Sequence, residues 1–234
     1  MSHPAWPSMT WQTYDWYFEP TAAYFGCKKA SEPLHIQWNP ADDSVEVVNY
    51  SAGENKDLTA KVVLMNIDGR IVWEKSAVLN SSEDSTLKCL KMEYPDNLSD
   101  THFIKLYLRD SQNKILSENF YINGKEYGNH HGLKKLGRVW LKTSAVYEKS
   151  AGDSNLHGGE WIGKITLENR DRVPAVMIRL NIVGRQDGQQ ILPAFYEDNY
   201  FSLMPGEKKT VTVKCYVTDS RGNAPKVLVT GYNL

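Results

Sequence analysis

From Leu34 to the C-terminus, apolar and polar residues alternate with a period of two, the pattern of strands that bury one face. In His102–Arg109, Ile104, Leu106 and Leu108 fall on one side, and Lys105, Tyr107 and Arg109 fall on the other. The same reading predicts strands at Leu34–Trp38, Ser44–Tyr50, Leu58–Asn66, Arg70–Lys75, Ser85–Lys91, His102–Arg109 and Lys114–Ile122. Asp68-Gly69 between two of them favours a tight hairpin. Seven short strands in about 90 residues make a β-sandwich. Alternation breaks at Asn123–Gly137, a stretch rich in Gly, Asn, Lys and His that reads as an interdomain connection. A second series follows at Arg138–Tyr147, Trp161–Asn169, Ala175–Val183, Gln189–Leu192, Tyr200–Leu203, Lys208–Val217 and Lys226–Tyr232. Pro205-Gly206 fits the two central positions of a type II turn. Leu79-Asn-Ser-Ser-Glu83 echoes Leu203-Met-Pro-Gly-Glu207, which suggests a duplicated sandwich.

The residues before Leu34 obey a different rule. The first 25 hold eight of the chain's 26 aromatics and no Lys or Arg. Ser8 is placed to cap a helix from Met9 to Phe18, and Pro20 suits the first turn of a second helix that ends near Ser31. Their aromatics point to nearly all sides, so no single stripe buries them. The predicted organisation is therefore a helical segment over 1–32, a sandwich over 33–122, a linker over 123–137 and a sandwich over 138–234. Within it, Pro20–Ser31 is expected to dock on the Leu34–Ile122 sandwich through Tyr24, Phe25 and Cys27. The part before Phe18 is expected to be a self-association surface.

Composition narrows the function classes. The chain has 234 residues, 41% hydrophobic and 24% charged, with a formal net charge of -1. Those values fit a folded globular protein and offer no global field for nucleic acid or an anionic membrane. No apolar run approaches the roughly 20 residues of a membrane span, and the first residues lack the regions of a signal peptide. Cys27, Cys89 and Cys215 are odd in number and widely spaced, and read as buried thiols without a disulfide framework or zinc site. His130-His131 with Glu126 or His157 is a conceivable metal cluster, but adjacent histidines diverge on most backbones, and a surface linker is the simpler reading. His157-Gly-Gly-Glu160-Trp161 is a conceivable sugar-binding loop, with the bland alternative that Trp161 opens a strand into the core. No cofactor fingerprint is present.

Ala5-Trp-Pro-Ser, Trp11-Gln-Thr-Tyr-Asp15 and Pro20-Thr-Ala-Ala-Tyr-Phe-Gly-Cys-Lys-Lys29 resemble the exit of the catalytic barrel in glycoside hydrolase family two. The similarity is to its exo-β-D-glucosaminidases and related β-mannosidases. It continues through Glu32-Pro-Leu-His-Ile-Gln37, Glu118-Asn-Phe-Tyr121 and Pro193–Glu207, while Met1–Pro4 have no counterpart in it. The resemblance implies a mainly β fold: two tandem immunoglobulin-like β-sandwiches preceded by a short helical remnant of a (β/α)8 barrel. It implies a parent that hydrolyses terminal β-linked glucosamine or mannose with retention, and that is secreted or periplasmic. The parent's two catalytic glutamates stand on barrel strands that precede this segment. A retaining pair needs carboxyl groups about 5 to 5.5 Å apart, and this sequence offers none. Glu32 and Glu118 read as surface carboxylates. The chain alone is thus expected to be inactive, with no catalytic, cofactor or metal residue. Trp6 is implied to border the sugar pocket in a complete enzyme. Expected partners are the parent's barrel in cis, carbohydrate, and a second copy through the aromatic segment; nucleic acid and membrane are not expected.

Two other readings compete. A carbohydrate-binding module would present Trp38, Trp73, Trp140 or Trp161 as an exposed platform. An adhesion-type tandem would need no sugar, but gives no reason for the barrel-like residues before Pro33.

Overall fold

The computed structural model describes residues 6, 13–126, 128–150 and 158–234. These form two compact units. One comprises Lys28–Leu136; the other joins the described residues up to Cys27 to Gly137–Leu234. The described residues up to Cys27 therefore group with the second sandwich, and residues 28–32 with the first.

In the first unit the strands are β1 (Leu34–Asn39), β2 (Ser44–Asn49), β3 (Asn55–Asn66), β4 (Ile71–Ser81), β5 (Ser85–Lys91), β6 (Thr101–Arg109) and β7 (Ile115–Gly124). They pair antiparallel in a three-stranded sheet, β1-β2-β5, and a four-stranded sheet, β4-β3-β6-β7. Ile36, Val45 and Val47 from one sheet meet Ala60, Val62, Leu64, Ile104, Leu106 and Leu108 from the other in a dry core. The Asp68-Gly69 hairpin closes as the sequence suggests: the Gly69 N–H donates to the Asn66 carbonyl at 2.8 Å, and Gly69 takes φ +83°.

Alternation does not predict the outer face of the four-stranded sheet. Phe103, Val63 and Met65 point away from the core, yet all are buried. Part of the cover is the connection after β7. Its Gly132 N–H donates to Thr101 Oγ1 at 3.0 Å, and Thr101 shares the outward parity of Phe103. A β-carbon at Gly132 would lie 2.6 Å from that of Thr101, so only glycine fits this approach. The stretch read from sequence as an interdomain connection is laid down on β6, with a short 3-10 turn at His131–Lys135.

The second unit holds β8 (Leu141–Ser150), β9 (Glu160–Asn169), β10 (Ala175–Gly184), β11 (Ala194–Tyr196), β12 (Phe201–Leu203), β13 (Lys208–Tyr216) and β14 (Pro225–Thr230). The sheets are β11-β13-β9-β8 and β12-β10-β14. Ile165, Leu167, Val211 and Val213 face Ile178, Leu180 and Ile182 across the core. The strand expected at Gln189–Leu192 is instead a single bridge at Gln190, and pairing with β13 begins at Ala194. Pro193 between them has no N–H to give a ladder. At Pro205-Gly206 the Glu207 N–H donates to the Met204 carbonyl at 3.0 Å, and Gly206 takes φ +81°, as a type II turn requires.

One corner occurs in both units. Asn49 ends β2 and Asn169 ends β9, and both are fully buried. Asn49 Nδ2 donates to the Ser81 carbonyl at 3.1 Å, where β4 ends in the opposite sheet. Asn169 Nδ2 donates to the Leu203 carbonyl at 2.9 Å, where β12 ends in the opposite sheet. Each Oδ1 accepts a backbone N–H two residues on, from Ser51 and Asp171, both at 3.0 Å. The amide thus stitches the two sheets together just before the chain crosses between them. Asn49→Ala and Asn169→Ala should each cost about 2 to 3 kcal/mol, because a buried carbonyl loses its donor and a half-buried N–H loses its acceptor. Urea titration checks this; a loss below about 0.5 kcal/mol, typical of a surface change, would contradict the bracing role.

Candidate functional site

The described part of the aromatic segment is a braced turn. The expected helix over Met9–Phe18 has its cap and first residues outside the described range, and Thr13–Phe18 is not helical. Tyr14 bridges Pro20, and the Asp15 N–H donates to the Glu19 carbonyl at 3.0 Å. Asp15 Oδ1 accepts from the Tyr17 and Glu19 N–H groups, both at 2.9 Å. A carboxylate able to satisfy the turn's own amides competes with helix here. Phe18 sits at φ +64°, a conformation that costs an L-residue about 1 kcal/mol and that Gly or Asn would take more readily. Trp16, Tyr17 and Phe18 are exposed.

Two devices fasten this turn to the second sandwich. Glu19 forms an ion pair with Arg179 of β10, with Arg179 Nε to Oε1 at 3.0 Å, and accepts from Gln190 Nε2 at 2.7 Å. Burial works against the Arg179 charge, but Glu19 outweighs it and holds the guanidinium pKa above its ordinary value. Beside it, Tyr14 packs on Tyr24 at 5.2 Å, Tyr24 on Phe25 at 5.1 Å and Phe25 on Tyr200 at 6.0 Å. Tyr24 and Phe25 stand on helix α1 (Ala22–Ala30), and Phe25 is buried in the second unit's core. The expectation that this helix docks on the Leu34–Ile122 sandwich through Tyr24, Phe25 and Cys27 is corrected in part by these contacts. Cys27 lies about 200° round the helix from Phe25 and is exposed, against its reading as a buried thiol. Cys89 and Cys215 are shielded, and burial pushes their thiols up to about 11 and about 12.

Glu32 is not an ordinary surface carboxylate. Its Oε2 accepts from Ser117 Oγ of β7 at 2.6 Å and lies 3.4 Å from His35 Nδ1 of β1, while Oε1 accepts from Lys29 Nζ at 2.7 Å. Burial pushes its pKa up, but bonds from His35, Lys29 and Ser117 prevail and bring it down to about 2. A carboxylate fully engaged with donors is held in its ionised form and is suited to bracing rather than to proton transfer. Glu118 lies one residue on along β7, directly across from Tyr107 of β6, with the parity opposite to Ser117.

Among the tryptophans, Trp38 and Trp73 pack against the first core, and Trp38 Nε1 donates to Asp43 Oδ1 at 3.3 Å. Trp161 packs against the second core and donates to Ser220 Oγ at 3.3 Å. Trp140 is 73% exposed, with the Arg138 guanidinium 5.1 Å from its ring centre. Three of these four tryptophans are thus engaged by a sandwich core, and Trp140 is the exposed one. Trp6 is exposed, and its sequence neighbours lie outside the described residues. His130 and His131 are exposed beside the 3-10 turn, and His157 lies outside the described residues. Among the described residues no three His, Cys, Asp or Glu side chains converge as a metal centre.

Both units are thus immunoglobulin-like sandwiches braced internally by buried amides, and the second carries the exposed aromatic turn. Residues 119–234 match the exo-β-D-glucosaminidase Ig-fold domain. Over its full length it is 33% identical to an exo-β-D-glucosaminidase of Streptomyces avermitilis and covers 28% of that protein. It is 25% identical over 97% of its length to a mannosylglycoprotein endo-β-mannosidase of Lilium longiflorum, covering 30% of it. The crystal structure of the Amycolatopsis orientalis exo-chitosanase CsxA superposes on the whole chain with a TM-score of 0.89 at 29% identity, and the chain covers 29% of it. The chain thus spans somewhat over a quarter of the length of these relatives.

Glu32 also makes the first unit sensitive to acid. Its pKa is about 2 in the folded chain against an ordinary 4.5. The stability it contributes is complete above about pH 4.5 and is lost as the pH falls toward 2, at a scale of roughly 2 kcal/mol after allowance for partial exposure. Glu32→Gln should be less stable at pH 6 by about that amount and should show a flatter pH dependence between pH 5 and 2.5. Urea unfolding across that range checks it; parallel curves for the two proteins would contradict the assignment.

Proposed function

We propose that this chain is the non-catalytic C-terminal β-sandwich region of a longer retaining glycoside hydrolase acting on terminal β-linked glucosamine or mannose, with a structural role beside the active site. The observation that carries this reading is the match over the whole chain to part of an exo-β-D-glucosaminidase, at 33% identity and 28% of that enzyme's length. A region of this kind has bracing chemistry rather than reactive chemistry, and the local contacts support that. Glu32 is tied to three donors, Glu19 to Arg179 and Gln190, and the thiols of Cys89 and Cys215 are shielded. In this reading the two carboxylates of double displacement, about 5 to 5.5 Å apart, stand on barrel strands N-terminal to the segment. The residues before Pro33 close that barrel, and Trp6 lines the rim of the sugar pocket.

A carbohydrate-binding platform is less well supported, because three of the four tryptophans that would build it are packed against the sandwich cores. The purified chain should show no turnover of aryl β-glucosaminides or β-mannosides above a protein-free control. Turnover that disappears on substituting one of its own carboxylates would overturn the reading.

A further inference from the structure

We propose that β8 is an interface between two copies of this chain: their β8 edges pair antiparallel about a two-fold axis at Ala145 and join two four-stranded sheets into one. The proposal lies wholly within the second unit and does not depend on the functional reading above. β8 ends the sheet β11-β13-β9-β8, and among the described residues no strand pairs with its far side. An open edge offers a row of backbone N–H and C=O groups to any second strand, so folded proteins keep such edges short, proline-bearing or bulged. The other sheet ends obey that rule. β11 and β12 have three residues each, β1 and β14 have six, and β14 starts at Pro225. β4, β5 and β7 carry breaks in register. β8 departs from it: it runs unbroken over ten residues against β9, holds no Pro or Gly, and leaves seven of the ten exposed.

The occupant follows from register and charge. Leu141 and Tyr147 pack on the second core, so Lys142, Ser144, Val146 and Glu148 occupy the opposite face. A continuous sheet keeps each face on one side, so a two-fold pairing centres on a single residue and sets residues of equal parity opposite each other. Centred on Ala145, it opposes Lys142 to Glu148 of the second copy and Glu148 to its Lys142, with Ser144 against Val146. Moving the centre by one residue sets Lys142 against Val146 or Ser150, and Glu148 against Trp140 or Ser144. Only the Ala145 register pairs both charges. Within one copy those charges are open to it: Lys142 lies across from Glu168, whose carboxylate Arg170 already holds at 2.8 Å, and Glu148 lies across from Ile162. Val146, 63% exposed in one copy, is covered by the second strand. A net charge of -1 leaves little repulsion between copies. Pairing consumes the long open edge of each copy, so assembly closes at two.

Sedimentation of the 234-residue chain over a range of concentrations tests this. Wild type should form a dimer. Glu148→Lys sets like charges opposite each other at both ends of the pairing and should weaken the dimer about tenfold. Adding Lys142→Glu to that variant swaps the signs and should restore it. Ala145→Lys, which puts two cations on the axis, should also weaken it. Amide exchange gives a second readout: β8 amides that face away from β9 should slow as concentration rises, while those of β14 keep their rates. A chain that stays monomeric throughout overturns the proposal. So does a dimer indifferent to Glu148→Lys, because the contact then lies elsewhere, the aromatic segment included. A Glu148→Lys defect that Lys142→Glu fails to rescue overturns it as well, because the charges are then not opposed as this register requires.

Discussion

The insertion of Phe25 into the core of the second sandwich is the constraint on which the attachment of the preceding residues depends. Helix α1 is covalently next to the first sandwich, yet its Phe25 ring packs against Tyr200 and lies among the apolar side chains of the second. The aromatic run from Tyr14 through Tyr24 and the Glu19–Arg179 pair then follow as extensions of one attachment. An ion pair on a protein surface is worth little by itself, commonly under about 1 kcal/mol. A buried phenylalanine contributes about 3 kcal/mol or more. The ring therefore sets the position of the segment, and the charges orient the turn that precedes it.

At the other end of the helix the constraint is polar. Lys29, Glu32, His35 and Ser117 tie the chain's entry into β1 to β7 within the first unit. The two sandwiches share a further economy, the buried asparagine at Asn49 and Asn169, which joins one sheet to the other at the same corner. The second sandwich lies within the stretch, residues 119–234, that matches the exo-β-D-glucosaminidase Ig-fold domain.

Most of the β architecture was legible in the sequence, because a period of two is a direct consequence of strands with one buried face. Ile104, Leu106 and Leu108 face the core as alternation requires, and the turns at Gly69 and Gly206 take the backbone conformations that their residues favour. Three features were not legible, each for a physical reason. The burial of Phe103, Val63 and Met65 on the outer face depends partly on the course of a later segment over β6, which no local pattern encodes. The role of Glu32 depends on Ser117, far along the chain, so its dipeptide context pointed only to the surface. At Thr13–Phe18, within the helix expected at Met9–Phe18, the Asp15 side chain binds the turn's own amides, a competition that the cap and composition do not reveal. The resemblance to exo-β-D-glucosaminidases was most legible in the first 33 residues, where the order of Trp, Tyr and Pro is far more specific than strand alternation.

The central claim, that the N-terminal segment is a structural part of the second sandwich, is tested most directly by hydrogen exchange on Phe25→Ala. Loss of the ring should speed exchange of the amides in β10 and β13 and leave those of β3 and β6 at their wild-type rates. If exchange instead rises in β3 and β6 while β10 and β13 keep their protection, the segment belongs to the first sandwich and the account is wrong.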